Sequence, residues 1–191
     1  MTTAIQTNNL NKPITIINGE PATPYEFGAG EVSTTGPLQP GLVYETEITD
    51  YLHYLCYIGY NISQIKLIAS NPPANFSCPS KSNEEFISNM NYPSIAVTHF
   101  NDYKSKKVKR TVTNVGEDES VYTVSVERPS GAGLEVQVTP QKLQFTKNDK
   151  KLSYEVTFRH DNSSSLINGD VFGSITWTNG KNKVRIPFVV T

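Results

Sequence analysis

The spacing of apolar residues changes along this chain, and the changes divide it. Before about residue 48 no period is sustained: Pro13, Pro21, Pro24, Pro37 and Pro40 remove amide donors, while Gly19, Gly28, Gly30 and Gly41 permit turns. The same stretch carries Ile14, Ile16, Ile17, Tyr25, Phe27, Leu42, Val43 and Tyr44, large apolar side chains that need a partner surface. From Thr49 to Ile58 the spacing becomes helical, with Leu52, Leu55, Cys56 and Ile58 as the apolar positions. Thr49 or Asp50 stands at its start and Gly59 at its stop. A second short helix is predicted over 62–69, capped by Asn61, with Ile62, Ile65 and Ile68 on similar faces, and Asn71-Pro72-Pro73 ends it. Residues 71–90, rich in Ser, Asn and Pro, read as a linker.

After Asn91 the period is two, the signature of strands with one buried face. Tyr122, Val124 and Val126 alternate with polar neighbours, as do Leu134, Val136 and Val138. Leu152, Tyr154, Val156 and Phe158 face one way, and Ser153, Glu155, Thr157 and Arg159 the other. Asn179-Gly180 lies between two such runs and predicts a tight primed hairpin turn, which requires positive φ at both residues. Several short strands without alternating helices point to a two-sheet sandwich over 91–191, a unit expected to fold alone.

Composition adds exclusions. The 191 residues are enough for a real core, and a net charge of -1 creates no field toward nucleic acid or an anionic membrane, so neither is expected as a partner. No run reaches the roughly 20 apolar residues of a membrane span, and no signal peptide is read at the N-terminus. Asn61, Asn75 and Asn162 each begin a glycan acceptor pattern. Cys56 and Cys78 are either a pair of buried thiols or, in an oxidising compartment, a disulfide contributing about 3 kcal/mol.

Candidate chemistry is sparse. Asp50, His53 and Cys56 have the types of a thiol–histidine site, but positions 50 and 56 diverge by more than half a turn around a helix, and structural roles are favoured. His53, His99 and His160 are too scattered to suggest a shared metal. His99 is expected partly buried beside Ile95 and Val97, and His160 exposed. Gly28-Ala29-Gly30 and Gly180-Lys181 read as turns, because neither has the context of a phosphate loop. Lys104, Lys106, Lys107, Lys109 and Arg110 read as a solvated strand whose charges discourage edge pairing. Trp177 raises the idea of a carbohydrate platform, yet it alternates with Ile175 and is expected in the core. Tyr51, Tyr54, Tyr57 and Tyr60 read as a stripe for docking on another domain.

Particular segments carry a resemblance. Gly28-Ala29-Gly30, Pro40-Gly41-Leu42-Val43-Tyr44, Asp50-Tyr51-Leu52 and Leu55-Cys56 occur in the order and near the spacing of the plant subtilisin-like serine proteases. Met1-Thr2-Thr3-Ala4 resembles the last turn of the helix after that family's nucleophilic serine. Asn91-Tyr92-Pro93-Ser94-Ile95 and Arg110-Thr111-Val112-Thr113-Asn114-Val115-Gly116 resemble its fibronectin type III-like module. Glu31-Val32-Ser33-Thr34-Thr35 is similar to the subgroup of the carbon-dioxide-response secreted protease; most plant relatives have His at the position of Glu31.

The resemblance implies a mainly β chain: a fibronectin type III-like sandwich at 91–191, preceded by an irregular and short-helical remnant of the subtilisin α/β catalytic domain at 1–70. It also implies an extracellular or cell-wall parent that cleaves peptide bonds with Ser, His and Asp. Those residues and the oxyanion Asn lie N-terminal to the matched segment, so no catalytic, cofactor or metal residue is assigned here. The chain alone is expected to be inactive, with the catalytic domain as its partner. The alternative is a stand-alone binding or regulatory module for protein or carbohydrate.

Overall fold

The computed structural model describes residues 1–80, 84–161 and 166–191. The first 47 residues hold little regular structure: isolated bridges Ile5↔Glu31, Thr7↔Pro13 and Thr15↔Pro21, a short helix α1 (Pro24–Phe27) and a two-residue strand β1 (Leu42–Val43). Met1 to Ala4 form a turn closed by the Ala4 amide on the Met1 carbonyl. Two helices follow, α2 (Ile48–Tyr57) and α3 (Ile62–Ile68). In α2 Asp50 sits inside the first turn, where its Oδ2 accepts the Glu47 amide at 2.8 Å. Asn61 caps α3 through Oδ1, which accepts the Gln64 amide at 3.0 Å.

The remaining strands are β2 (Ile95–Val97), β3 (Ser105–Asn114), β4 (Ser120–Glu127), β5 (Leu134–Thr139), β6 (Lys142–Phe145), β7 (Lys151–His160), β8 (Val171–Thr178) and β9 (Lys183–Val190). They form two sheets, ordered β1-β3-β7-β5 and β2-β9-β8-β4-β6. All pairings are antiparallel except β2 on β9, which is parallel. The inner faces meet in one core in which the Tyr154 ring stands edge-on to Trp177 at 5.1 Å and Phe158 to Phe188 at 5.4 Å. Trp177 is 0% exposed, so it offers no platform to a sugar.

Three sequence expectations change in detail. The β8–β9 connection is a four-residue loop between Thr178 and Lys183, because the Asn179 carboxamide accepts the Lys181 and Asn182 amides and builds the turn from its side chain. Only Gly180 takes positive φ there. Residues 84–89 are a 3-10 helix held against β3, so this end of the expected linker is part of the packed structure. Finally, the sandwich is not confined to 91–191: Leu42, from the segment before the helices, is 0% exposed in its core.

Candidate docking junction

Three of the segments that carry the sequence resemblance, residues 40–44, 91–95 and 110–116, meet at one edge of the four-stranded sheet. Strand β1 pairs with the end of β3, Leu42 opposite Asn114 and Val43 opposite Thr113. The Val115 amide donates to the Gly41 carbonyl at 2.9 Å and continues the pairing by one residue. Gly41 has φ of 76°, and a Cβ there would lie 2.6 Å from the Tyr122 hydroxyl and 2.8 Å from the Asn182 Cβ. Glycine is required for both shape and space. The Tyr44 hydroxyl meets that of Tyr154 at 2.7 Å. Burial pushes the pKa of both phenols up, keeping the pair protonated.

Asn91 extends the edge with its side chain. Its Oδ1 accepts the Thr111 amide at 2.8 Å, and its Nδ2 donates to the Thr111 and Glu45 carbonyls, each at 2.9 Å. One carboxamide thereby acts as a strand residue toward β3 and ties β1 to it. Asn89 does the same for the next free donor, accepting the Lys109 amide at 3.0 Å. These side chains satisfy an edge that would otherwise present bare backbone groups.

Arg110 corrects the reading of the basic run. It is 2% exposed, and its guanidinium donates to the carbonyls of Tyr92 (2.9 Å), Ser88 (2.7 Å), Ser94 (2.8 Å) and Lys109 (2.9 Å). Burial lowers its pKa to about 10, which leaves it charged at physiological pH. Lys104, Lys107 and Lys109 are exposed, and Lys107 pairs with Glu155 at 2.8 Å. Alternation explains the split: Arg110 shares the inner face with Val108 and Val112, and the fork of the guanidinium suits a group of carbonyls.

Glu45 closes the outer side of the junction. Hydrogen bonds from Lys151 and then Thr113 hold its carboxyl below the usual range. Because the folded-state pKa lies below the unfolded one, this contribution is present above the ordinary carboxylate pKa and is lost as pH falls through the lowered value. Glu45→Gln is therefore expected to reduce the acid-dependent part of the thermal midpoint while leaving its course from pH 6 to 8 unchanged. Thermal scans of both proteins across pH 3–8 check this.

Of the other candidates, Cys56 and Cys78 are joined in a disulfide with Cα atoms 5.6 Å apart, which removes Cys56 from any thiol–histidine site. His53 lies against Tyr57 and Phe76, with ring centroids at 6.3 and 5.3 Å. His99 is exposed rather than partly buried, because its left-handed φ of 53° ends the β2 alternation. His160 is half-buried rather than exposed, its ring 4.7 Å from Phe100. Among the described residues no group of three His, Cys, Asp or Glu is placed to hold a metal, and no helix is long and apolar enough to cross a membrane. Tyr57 packs on Phe86 at 5.5 Å, so the tyrosine stripe is partly consumed within the chain, while Tyr51 and Tyr60 stay exposed. Asn61 and Asn75 are exposed, and Asn162 lies outside the described residues.

Sequence reasoning found β1 only as an apolar run and missed the roles of Asn91 and Arg110. The available signal was the placement of an arginine on the inner phase of an otherwise alternating strand.

A family model described as "Fibronectin type-III domain" matches residues 89–190. The "CO(2)-response secreted protease" of Arabidopsis thaliana is 55% identical over 192 residues, covering 100% of this chain and 24% of the relative. "Subtilisin-like protease SBT5.1" of the same plant is 50% identical over 196 residues, covering 100% of this chain and 25% of the relative. The chain thus spans about a quarter of the length of these curated relatives. Through residues 89–190 the chain belongs to the fibronectin type-III domain family, and along its whole length it is similar to part of the subtilisin-like proteases of plants.

Proposed function

We propose that this chain is the C-terminal, non-catalytic part of a secreted subtilisin-like serine endopeptidase and supports the catalytic domain that carries the chemistry. The observation that carries this reading is the junction. Residues 1–70, read as the end of the catalytic domain, deliver β1 into the sheet of the sandwich, so the two parts are joined by packing as well as by sequence. In the whole protease a serine attacks the peptide carbonyl and a histidine takes its proton. The sandwich then holds the end of the catalytic domain in place.

The surface of residues 1–70 supports the same reading. Ile17, Val32, Leu38, Ile48 and Leu67 are exposed by more than two thirds, as expected of residues that pack on a further domain. The disulfide suits an oxidising compartment, and exposed Asn61 and Asn75 suit N-glycosylation there. At Asn61 the helix cap uses Oδ1, while a glycan takes Nδ2, so both fit one side chain.

A serine-reactive phosphonate is expected to leave the chain unlabelled, and a mixture of fluorogenic peptides uncleaved. Covalent labelling at one residue would overturn the non-catalytic assignment. In limited proteolysis followed by mass spectrometry, cuts are expected first before residue 36, with the sandwich and β1 surviving together. Equal resistance of residues 1–35 would remove the argument for a missing partner surface.

A further inference from the structure

The chain presents a polar hollow between residues 2–6 and the outer face of β8 and β9, exposed lysines on β3, a half-buried His160, and the groove that holds β1. The groove alone shows both a built recognition site and its ligand. Gln39 offers its carbonyl to Asn182 Nδ2 at 2.8 Å, and Gly41 fits where no side chain can. Leu42 enters the core, Tyr44 reaches the Tyr154 hydroxyl, and the Glu45 carbonyl accepts from Asn91. Alternate side chains are read by pockets while the backbone pairs with a strand edge, the physics of strand addition.

We propose that the sandwich is a strand-accepting module. The end of β3, with Tyr154 and Asn91, recognises a Pro-Gly-Leu-Val-Tyr-Glu segment that turns at Gly41 and runs as a strand from Leu42, supplied in cis by residues 40–45. It takes the same segment from a second copy of the chain when the cis strand is absent. The connection that returns from β1 to the sandwich contains an exposed stretch at Asn71, Pro73, Ala74 and Asn75. A cut there leaves the first part of the chain held by the disulfide and by β1. The inference stands apart from the protease reading, since it concerns only contacts within this chain.

The test uses the full chain carrying Leu42→Asp, whose own strand cannot dock, and a fluorescein-labelled peptide of residues 37–47. The variant is expected to bind the peptide saturably and to recover the emission of Trp177, the single tryptophan, which meets the Tyr154 ring edge-on. A peptide carrying the same Asp substitution is expected to bind about tenfold more weakly or worse, since burying a leucine is worth roughly 1.5–3 kcal/mol. If the variant chain does not fold, the wild-type chain is cut at a protease site placed within 72–75, reduced, unfolded and refolded with excess peptide. Gel filtration should then show the peptide in place of the N-terminal piece. Wild-type emission and thermal midpoint in the Leu42→Asp chain without peptide would overturn the proposal. So would equal binding of the two peptides, or refolding of the cut chain with neither piece nor peptide attached.

Discussion

Replacing Arg110 by methionine is expected to lower the unfolding free energy by about 3–5 kcal/mol, read from urea denaturation followed by Trp177 fluorescence. The size comes from what remains. Methionine fills much of the volume, but the carbonyls of Ser88, Tyr92 and Ser94 keep their orientation and lose the donor that satisfied them. A buried ion pair is often replaced by apolar residues at little cost because both charged partners leave together. Here no carboxylate leaves, and the acceptors are backbone groups that substitution cannot remove.

The same geometry separates this effect from lost packing. Arg110→Lys preserves the charge but supplies donors from one nitrogen, which cannot span carbonyls from residues 88, 92 and 94, so a loss of about 2 kcal/mol is expected. Hydrogen exchange should increase first in residues 84–94 and at the Thr111 amide, which depends on Asn91 being held in place. A methionine variant losing under about 1 kcal/mol would show that the carbonyls find water instead and that the guanidinium is not the clamp.

Local rules and long-range geometry contributed differently to what could be read in advance. The helices at 48–57 and 62–68, and the strands around Tyr122, Leu134 and Tyr154, follow from periodicity, the Asn61 cap and a glycine stop, although the first helix starts from Glu47 and not from Thr49 or Asp50. Arg110 was legible only in part: its phase along β3 places it inside, whereas its neighbours Lys107 and Lys109 suggest solvent. Nothing local distinguishes Asn91 as a substitute for a strand residue, because its partners Glu45 and Thr111 come from opposite sides of the chain. β1 is two residues long, too short to show a period, and its pairing spans the whole helical layer. The pairing of Cys56 with Cys78 was one of two open readings, since sequence spacing does not state the distance between side chains.

Removing the disulfide with Cys56→Ser and Cys78→Ser is expected to cost about 3 kcal/mol, with the loss confined to the helical layer. The bond joins residues 22 apart, which restricts the unfolded chain, and its location decides which part responds. Among the described residues, only Leu52, Cys56 and Ile65 are fully buried in the cluster beneath α2 and α3, with Leu55, Ala69, Phe76 and Cys78 packed at its margin. At roughly 1.5–3 kcal/mol for each buried aliphatic side chain, that core is slight against the entropy of fixing two helices. The sandwich has its own large core and is connected to the layer mainly through β1 and the contact of Tyr57 with Phe86. Hydrogen exchange in residues 48–68 should therefore accelerate in the double variant, and equally in the wild type after reduction. The Trp177 unfolding transition should move little, because β1 continues to dock independently of the helices that follow it. Unchanged protection of α2 and α3 would show that their small core suffices alone. A Trp177 transition shifted by the full amount would instead make the layer and the sandwich one cooperative unit, with β1 carrying the coupling between them.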